Sequence, residues 1–219
     1  MALSLTPNVL IDFDGTLVDS SPLHDYAYRR VLRRHRPELL RHYRYDGVKG
    51  RTTREALRAL GVHDEEDLEL LTSAKQRAYR DVLFRLELLP GARQVLEALR
   101  AIGSTTYLVT SGSRTSVVSA LRSTGIERFF RGVVTGDDVR AGKPAPDPYR
   151  FCLRHHGLSP RACVVVEDSA SGVISARKAG LPVIGVHDGD LAGWVDGFFP
   201  SLWDFERWIH ATAARGAAS

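Results

Sequence analysis

The sequence predicts an α/β protein, in which a parallel sheet carries helices on both faces and a helical module is inserted after the first strand. From residue 105 onward, short apolar runs alternate with helical patterns, and this alternation favours a parallel sheet that is covered on both faces. The first two strands are separated by about ninety residues, whereas a strand–helix–strand unit needs only about thirty. A structureless loop of that length is improbable, so the interval is interpreted as helical.

The first predicted strand covers residues 8–14, where the apolar run Val9-Leu10-Ile11 ends in acidic residues. Later strands are predicted at residues 105–110, 132–135, 162–167 and 182–186, each an apolar run of the length typical of buried strands. The predicted helices cover residues 26–36, 53–60, 65–86, 92–102, 115–123, 147–155 and 170–179. Gly125, Gly157 and Gly180 each follow a predicted helix, where a left-handed C-cap favours glycine.

Three of the predicted helices lie before residue 87, and the next one, at residues 92–102, is sufficient as the crossover between the first two strands. Residues 18–86 are therefore interpreted as an inserted helical module, and residues 1–17 and 87–219 as a discontinuous α/β core. The aromatic residues between Trp194 and Trp208 are predicted to seal the C-terminal edge of the sheet. Residues 211–219 are predicted to form a frayed tail.

The composition is that of a soluble globular protein, with 43% hydrophobic and 26% charged residues in a chain of 219, enough for one domain with an insertion. No apolar run is long enough to cross a bilayer. Residues 1–7 lack the features of a secretory signal, so a cytoplasmic location is expected. Cys152 and Cys163 share no metal-ligand spacing and are expected to be buried free thiols.

Arginine supplies 26 of the 30 basic residues, and seven arginines between Arg29 and Arg44 face only one acid, Glu38. A basic stripe of this kind can bind nucleic acid. It can also be a solvated helix face, or the electropositive mouth of a site for an anionic metabolite. The stripe lacks interleaved aromatic residues until Tyr43 and Tyr45, which disfavours single-strand binding.

Chemically capable residues stand at the predicted ends of the strands, where ligands bind in a parallel sheet. They are Asp12 and Asp14 on the first strand, Thr110-Ser111 on the second, Lys143 just past the third, and Glu167-Asp168 on the fourth. Two or three carboxylates form an oxygen-only site that suits Mg²⁺, and such a cation can offset the repulsion between a carboxylate nucleophile and a phosphate.

Lys143 would add a second positive charge to such a site, and Thr110 a hydrogen-bond donor for the phosphoryl oxygens. Because alternate residues of an extended strand point the same way, Asp12 and Asp14 could both face the site, one as nucleophile and one as acid/base. Each feature also has a structural interpretation, since Asp-Gly marks turns and an acid before a helix can be an N-cap. Their joint presence at the strand ends favours catalysis.

These segments, in this order, resemble the four motifs of the haloacid-dehalogenase-like hydrolase superfamily: Asp12-Phe13-Asp14-Gly15-Thr16-Leu17-Val18-Asp19-Ser20, Thr110-Ser111, Lys143-Pro144 and Glu167-Asp168-Ser169. The resemblance covers nearly the whole chain. It implies a Rossmann-like parallel sheet core with helices on both faces and an inserted α-helical cap. The cap is similar to that of the phosphoglycolate-phosphatase and β-phosphoglucomutase branch.

The resemblance also implies roles. Asp12 would form an aspartyl-phosphate, and Asp14 would protonate the leaving group and then activate water. Asp12, the Asp14 backbone carbonyl, Asp168 and, directly or through water, Glu167 would hold Mg²⁺. Thr110 and Lys143 would bind the phosphoryl group, with Gly15 and Ser111 as further contacts. The dehalogenating members lack the second acid of the first motif, so Asp14 indicates phosphoryl transfer.

In the cap, Ser20, His24, Arg51 and Arg54 are candidate substrate contacts. His24 resembles a cap histidine of several relatives, including the mutases, while the arginine segment is one residue longer than the mutase pattern. The expected function is a Mg²⁺-dependent phosphatase of a small phosphorylated metabolite, of the sugar-phosphate or phosphoglycolate class. The alternatives are a sugar-phosphate mutase of the β-phosphoglucomutase type and, more remotely, a nucleic-acid-binding module on an inactive scaffold. No nucleic acid or membrane partner is expected, and the protein is expected to be a monomer or homodimer.

Overall fold

The computed structural model describes residues 7–49 and 51–217; residues 1–6, 50, 218 and 219, which belong to the predicted core, module and tail, lie outside this description. The strands are β1 (Asn8–Ile11), β2 (Thr105–Val109), β3 (Phe130–Val134), β4 (Cys163–Glu167), β5 (Val183–Val186) and β6 (Gly197–Phe199). They form one sheet in the order β3-β2-β1-β4-β5-β6, and each neighbouring pair is parallel. The predicted α/β fold class is confirmed.

The α-helices of the described residues are α1 (Ser21–His35), α2 (Thr53–Ala59), α3 (Glu65–Arg80), α4 (Ala92–Ala101), α5 (Arg114–Thr124), α6 (Asp147–His155), α7 (Ala170–Lys178) and α8 (Leu202–Ala217). Helix α1 begins five residues earlier than the sequence predicts, with a proline in its first turn. Helix α3 ends at Arg80 rather than continuing to residue 86, because a separate 3₁₀ turn follows it.

The central strand β1 sends alternate side chains into two apolar cores, as a strand buried on both faces must. Val9 and Ile11 belong to the core that contains α4, α5 and α8 and continues into the helical module. Leu10 belongs to the core formed with α6 and α7. Cys152 and Cys163 are buried free thiols in this second core, as predicted.

The chain enters and leaves the helical module at one place beside the sheet. Val18 forms isolated bridges with Asp14 and with Leu88, and the backbone N–H of Asp19 donates to the carbonyl of Glu87 at 3.1 Å. Within the module, α1 packs on α3. Helix α2 begins at a capping box in which Thr52 and Glu55 bond each other's backbone N–H groups, a strong helix-start signal.

The C-terminal region differs from the sequence prediction. Residues 211–217, predicted as part of a frayed tail, are helical and continue α8, whose Leu202, Phe205 and Ile209 are fully buried against the sheet core. Tertiary burial stabilises this helix where the local sequence carries little signal. The aromatic cluster of Phe199, Phe205 and Trp208 lies at the β6 edge as predicted, whereas Trp194 and Trp203 are exposed. Every helix among the described residues is too short or too polar to span a bilayer.

Candidate active site

The ammonium group of Lys143 is the centre of a buried polar cluster at the carboxyl ends of β1, β2 and β4. Its Nζ donates to Asp12 Oδ1 at 2.6 Å, to Glu167 Oε1 at 2.5 Å and to the Val109 carbonyl at 2.9 Å. All three hydrogens of the ammonium therefore have acceptors. Burial disfavours the charged form, but the Asp12 and Glu167 carboxylates raise the pKa of Lys143 above its ordinary value.

Glu167, the last residue of β4, is fully buried and held from several sides. Its carboxylate accepts from Lys143, from the Tyr149 hydroxyl at 2.8 Å and from Ser169 Oγ at 3.1 Å. Ser169 also N-caps α7 by accepting from the Gly172 N–H. A Cβ on Gly172 would lie 1.9 Å from the Glu167 carboxyl carbon. Glycine is therefore required where α7 begins beside this carboxylate.

Asp168 lies against the loop that follows β1. Thr16 Oγ1 donates to Asp168 Oδ1 at 3.1 Å, and Lys49 Nζ lies 3.4 Å from Oδ2. Gly15 has φ +90, and a Cβ there would be 2.2 Å from Asp168 Oδ2. Burial and the charge of Glu167 raise the pKa of Asp168 to about 6. In this structure the absence of a side chain at Gly15 leaves room for the Asp168 carboxylate beside the loop. The expected contact between Gly15 and phosphate stays a prediction.

Three buried carboxylates could together hold a cation: Asp12, Glu167 and Asp168 each offer an oxygen within 4.8 Å of the others. Burial raises the pKa of Asp12, and the charges of Glu167, Asp168 and Asp14 raise it further against the lowering effect of Lys143. One ammonium thus does not neutralise this group of acids. All of the donor atoms are oxygens, which Mg²⁺ prefers as ligands, and a divalent cation would supply the missing positive charge.

Asp14 is held separately from this cluster, by the residue that follows β2 and by residues of the helical module. Its Oδ2 accepts from Thr110 Oγ1 at 3.3 Å, and its Oδ1 lies 3.4 Å from His24 Nε2. Burial alone would raise the pKa of Asp14, but the His24 hydrogen bond and the Lys75 charge lower it to about 2. Ser20 is buried beside Asp14 and also lowers this pKa, although its hydroxyl makes no hydrogen bond of standard geometry to the described residues.

His24 connects Asp14 to a buried lysine of α3. Lys75 Nζ lies 2.8 Å from His24 Nδ1. Because an ammonium only donates, Nδ1 is the acceptor and the ring proton sits on Nε2, where it faces Asp14. The ring stacks on Tyr79 at 4.1 Å between centroids. Burial and the Lys75 charge lower the pKa of His24, and burial lowers that of Lys75 to about 8.

A cavity lies between the sheet edge and the helical module. The core contributes Asp12, Asp14, Thr110, Ser111, Lys143 and Asp168 to its lining, and the module contributes His24, Tyr45, Lys49, Arg51, Lys75 and Tyr79. The structure thus brings the predicted residues of four strand ends and two of the predicted module residues into one space. Glu167 lies directly beneath, behind Lys143.

The two candidate arginines of the module are separated. Arg51 lines the cavity, whereas Arg54 forms an ion pair with Glu65 on the module surface. The reason is local: Thr52 is the N-cap of α2, so Arg54 falls in the first helical turn, on the face towards α3. The structure gives no support to the expectation that Arg54 contacts the substrate.

Several residues of the site carry no assigned role in the sequence prediction, among them Thr16, Lys49, Lys75 and Tyr149. Of these four, only Lys75 could have been recognised from the sequence pattern. It occupies a buried position on α3 together with Leu68, Leu71, Ala78 and Tyr79, so a charge stands at helical spacing within an apolar face. Thr16 and Lys49 act on a partner more than a hundred residues away, and Tyr149, on α6, bonds Glu167 at the end of β4. No local sequence pattern reveals such contacts.

Comparison with known proteins shows which family the chain resembles. A family model described as haloacid dehalogenase-like hydrolase matches residues 9–186. The phosphorylated carbohydrates phosphatase of Thermotoga maritima is 34% identical over 79% of this chain and 81% of its own length. The fructose-1-phosphate phosphatase YqaB of Escherichia coli is 31% identical over 81% and 95%. The β-phosphoglucomutase of Clostridium difficile superimposes with a TM-score of 0.82 at 17% identity, over 98% of this chain and 100% of that one. The chain belongs to the haloacid dehalogenase-like hydrolase family.

Proposed function

We propose that this protein is a Mg²⁺-dependent phosphatase of a small phosphorylated metabolite, of the sugar-phosphate or phosphoglycolate class, that acts through an aspartyl-phosphate on Asp12. The arrangement that carries the proposal is one carboxylate bound to Lys143 within an acidic cluster, and a second carboxylate, Asp14, held separately by Thr110 and His24. Relatives more than 30% identical are named as phosphatases of phosphorylated carbohydrates, of fructose 1-phosphate and of phosphoglycolate, which supports the substrate class.

In the first step, a carboxylate oxygen of Asp12 attacks phosphorus, and the bond from phosphorus to the leaving oxygen breaks. Lys143 orients Asp12, and its positive charge stabilises the phosphoryl oxygens as negative charge spreads over them, while the Thr110 hydroxyl and Ser111 bind these oxygens. In the second step, water attacks the aspartyl-phosphate and releases inorganic phosphate. When held by Asp12, Asp168, the Asp14 carbonyl and Glu167, directly or through water, Mg²⁺ supplies the positive charge that offsets the repulsion between carboxylate and phosphate.

Asp14 is the proposed acid/base. Its pKa of about 2 makes it a carboxylate at neutral pH, ready to take a proton from water in the second step. For the first step it must carry a proton to the leaving oxygen. A phosphate dianion entering the site raises the pKa of neighbouring acids by charge repulsion, so substrate binding itself favours the protonated form of Asp14.

Residues 18–86 are the proposed cap, and residues 1–17 and 87–219 the catalytic core. In the structure the module closes over the site through Lys49 at Asp168 and His24 at Asp14. Closure excludes bulk water from the aspartyl-phosphate, and opening about the paired segments at Val18 and Leu88 would release products. Arg51 lines the cavity. Together with His24 and Ser20, it is proposed to bind the part of the substrate that does not react.

The experiment that tests this function measures phosphate release from a panel of sugar, polyol and two-carbon acid phosphates. We expect Mg²⁺-dependent release from several members, lost on chelation and restored by added Mg²⁺. The His24 side chain facing Asp14 is also compatible with a mutase, so hexose 1-phosphates are followed for isomerisation. Isomerisation without phosphate release would replace the phosphatase proposal by the mutase; no reaction with any substrate at saturating Mg²⁺ would refute both.

Replacing Asp14 by Asn is expected to lower kcat by about 10²–10⁴, the usual contribution of a general acid/base. The loss should be largest for substrates with poor leaving groups, because these need the proton most. The amide keeps the backbone carbonyl and an oxygen for the His24 N–H, so Mg²⁺ affinity should stay close to that of the wild type. The measurement is kcat across aryl phosphates of graded leaving-group pKa. Equal losses for good and poor leaving groups would contradict the acid role.

Replacing Lys75 by Met is expected to stabilise the folded protein and to lower its turnover rate. Burial lowers the native pKa of Lys75 to about 8 from 10.5, so removing the buried charge should raise the free energy of unfolding at pH 7 by about 1–3 kcal/mol. Between about pH 8 and 10.5 the Lys75 side chain is protonated in the unfolded chain but largely deprotonated in the native protein. The stability of the wild type should therefore rise with pH from about 8 to 10.5, and the variant should lack this rise. Turnover should fall because His24 loses its Nδ1 donor.

The measurements for Lys75→Met are denaturant unfolding at several pH values and kcat at pH 7. Arg77→Met, at an exposed position of the same helix, is the control and should change neither. Unaltered turnover in Lys75→Met would remove this lysine from the catalytic arrangement.

A further inference from the structure

His187 stands directly after β5, at the carboxyl edge of the sheet where the site lies. It is the one non-glycine residue with positive φ, +67, among the described ranges 7–49 and 51–217. The backbone N–H of Asp188 donates to the carbonyl of Val186 at 2.8 Å, so His187 is the central residue of a three-residue turn. A turn of this kind with positive φ is rare and strained for any residue except glycine.

The strained turn directs the imidazole towards the first motif. Nε2 of His187 lies 3.3 Å from the carbonyl oxygen of Thr16, a residue 171 positions away in the chain. A carbonyl only accepts, so the ring proton is on Nε2 and His187 is the donor. Burial and the nearby Lys49 charge lower the pKa of His187, which is consistent with a neutral ring that keeps this tautomer.

Thr16 is fully buried and is bound at both of its oxygens. Its carbonyl accepts from His187, and its hydroxyl donates to Asp168 Oδ1 at 3.1 Å. The neighbouring Gly15 brings the loop so close to Asp168 that no Cβ fits there. The position of Thr16 therefore sets the orientation of the Asp168 carboxylate, and His187 holds Thr16 from the opposite side.

We infer that His187 is a positioning residue, which orients the Asp168 carboxylate towards the cation through Thr16. Strained residues persist at functional sites where the surrounding structure holds them. Groups that bond a metal ligand from behind, as Thr16 bonds Asp168, typically contribute 10- to 100-fold to metal affinity, and His187 holds Thr16 in that position. This role explains why histidine rather than glycine occupies the turn: the imidazole donates a hydrogen bond to the Thr16 carbonyl, and glycine has no side chain that could do so. The inference rests on the proposed Mg²⁺ site.

The test compares His187→Gly and His187→Gln by calorimetric titration with Mg²⁺ and by thermal unfolding without it. Glycine relieves the backbone strain but removes the donor. We expect His187→Gly to unfold at the wild-type temperature or above, and to bind Mg²⁺ about tenfold more weakly. Gln keeps an N–H donor at similar reach and should recover most of the affinity. His63→Gly, at an exposed loop position, is the control and should bind as the wild type does.

A double-mutant cycle tests the route through Thr16. Thr16→Val removes the hydroxyl donor to Asp168 and should weaken Mg²⁺ binding by itself. If His187 acts through Thr16, adding His187→Gly to Thr16→Val costs little further affinity. Wild-type affinity in His187→Gly, or fully additive losses in the double variant, would overturn the inference. Absence of Mg²⁺ binding in the wild type would instead refute the proposed metal site, so the two failures are distinguishable.

Discussion

Asp12→Asn is expected to abolish turnover, with a loss of at least about 10⁴-fold, the scale seen when a nucleophile is removed from a site that otherwise remains intact. An amide oxygen is a poor nucleophile and cannot carry the phosphoryl group as an aspartyl-phosphate. The amide still offers an oxygen to the Lys143 ammonium, which donates to Asp12 Oδ1 at 2.6 Å in the structure. We therefore expect the variant to fold and to keep its substrate affinity.

The measurement is single-turnover phosphate release, with acid quenching to trap a protein-bound phosphate in the wild type and none in the variant. Asp25→Asn is the matched control, since the Asp25 carboxylate pairs with Arg29 on the same helix, α1, and it should retain wild-type activity. Turnover by Asp12→Asn at a rate near that of the wild type would refute the covalent mechanism.

Lys143→Met is expected to produce the largest loss of stability among the site variants. The Lys143 side chain is buried between Asp12 and Glu167, whose side chains are 9% and 0% exposed. Without the ammonium, both carboxylates remain buried and unpaired, and breaking a buried ion pair from one side typically costs about 3–5 kcal/mol. Activity should also fall by about 10²–10³, because the positive charge beside the phosphoryl oxygens is lost.

The loss of stability in Lys143→Met should depend on pH and on Mg²⁺. Burial already holds the native pKa of Asp12 above its ordinary value, and the Lys143 charge lowers it. Without the ammonium this pKa rises further, so the loss of stability shrinks as falling pH protonates Asp12. Added Mg²⁺ should restore part of the stability by binding the native state only. Denaturant unfolding at pH 5 and pH 7.5 checks both effects, with Lys178→Met on the exposed end of α7 as control. Equal stability of variant and wild type at pH 7.5 would contradict the paired geometry.

The catalytic edge of the sheet could be predicted from the sequence because the relevant signals are local. A buried strand that ends in Asp12 and Asp14, and another that ends in Glu167 and Asp168, must place those acids at the same edge once the strands are parallel. The observed register pairs Ile11 with Val166, which sets Asp12 beside Glu167. Lys143 joins them because its long side chain reaches back under the sheet edge to the Val109 carbonyl.

The module's contribution could not be predicted in the same way. His24 and Lys75 meet because α1 packs on α3, across 51 residues of chain, and helix packing depends on side-chain fit that a periodic pattern does not specify. Arg51 and Arg54 are three residues apart and indistinguishable by composition. Only the capping box at Thr52 decides that one faces the cavity and the other pairs with Glu65.

By itself, the sequence predicted the fold class and placed Asp12, the other acids and Lys143 at the ends of the strands, since hydrophobic periodicity and strand-end chemistry act over a few residues. The role proposed for Asp12 as nucleophile follows from the family resemblance of these segments. The tertiary structure decided what supports them: the neutral His24 tautomer and buried Lys75 behind Asp14, the Tyr149 bond to Glu167, and the strained turn that brings His187 to Thr16. These contacts join distant parts of the chain in a water-poor interior. In that interior, burial changes the protonation and the hydrogen bonding of each group. Both depend on residues far away in the chain, so the local sequence does not reveal them.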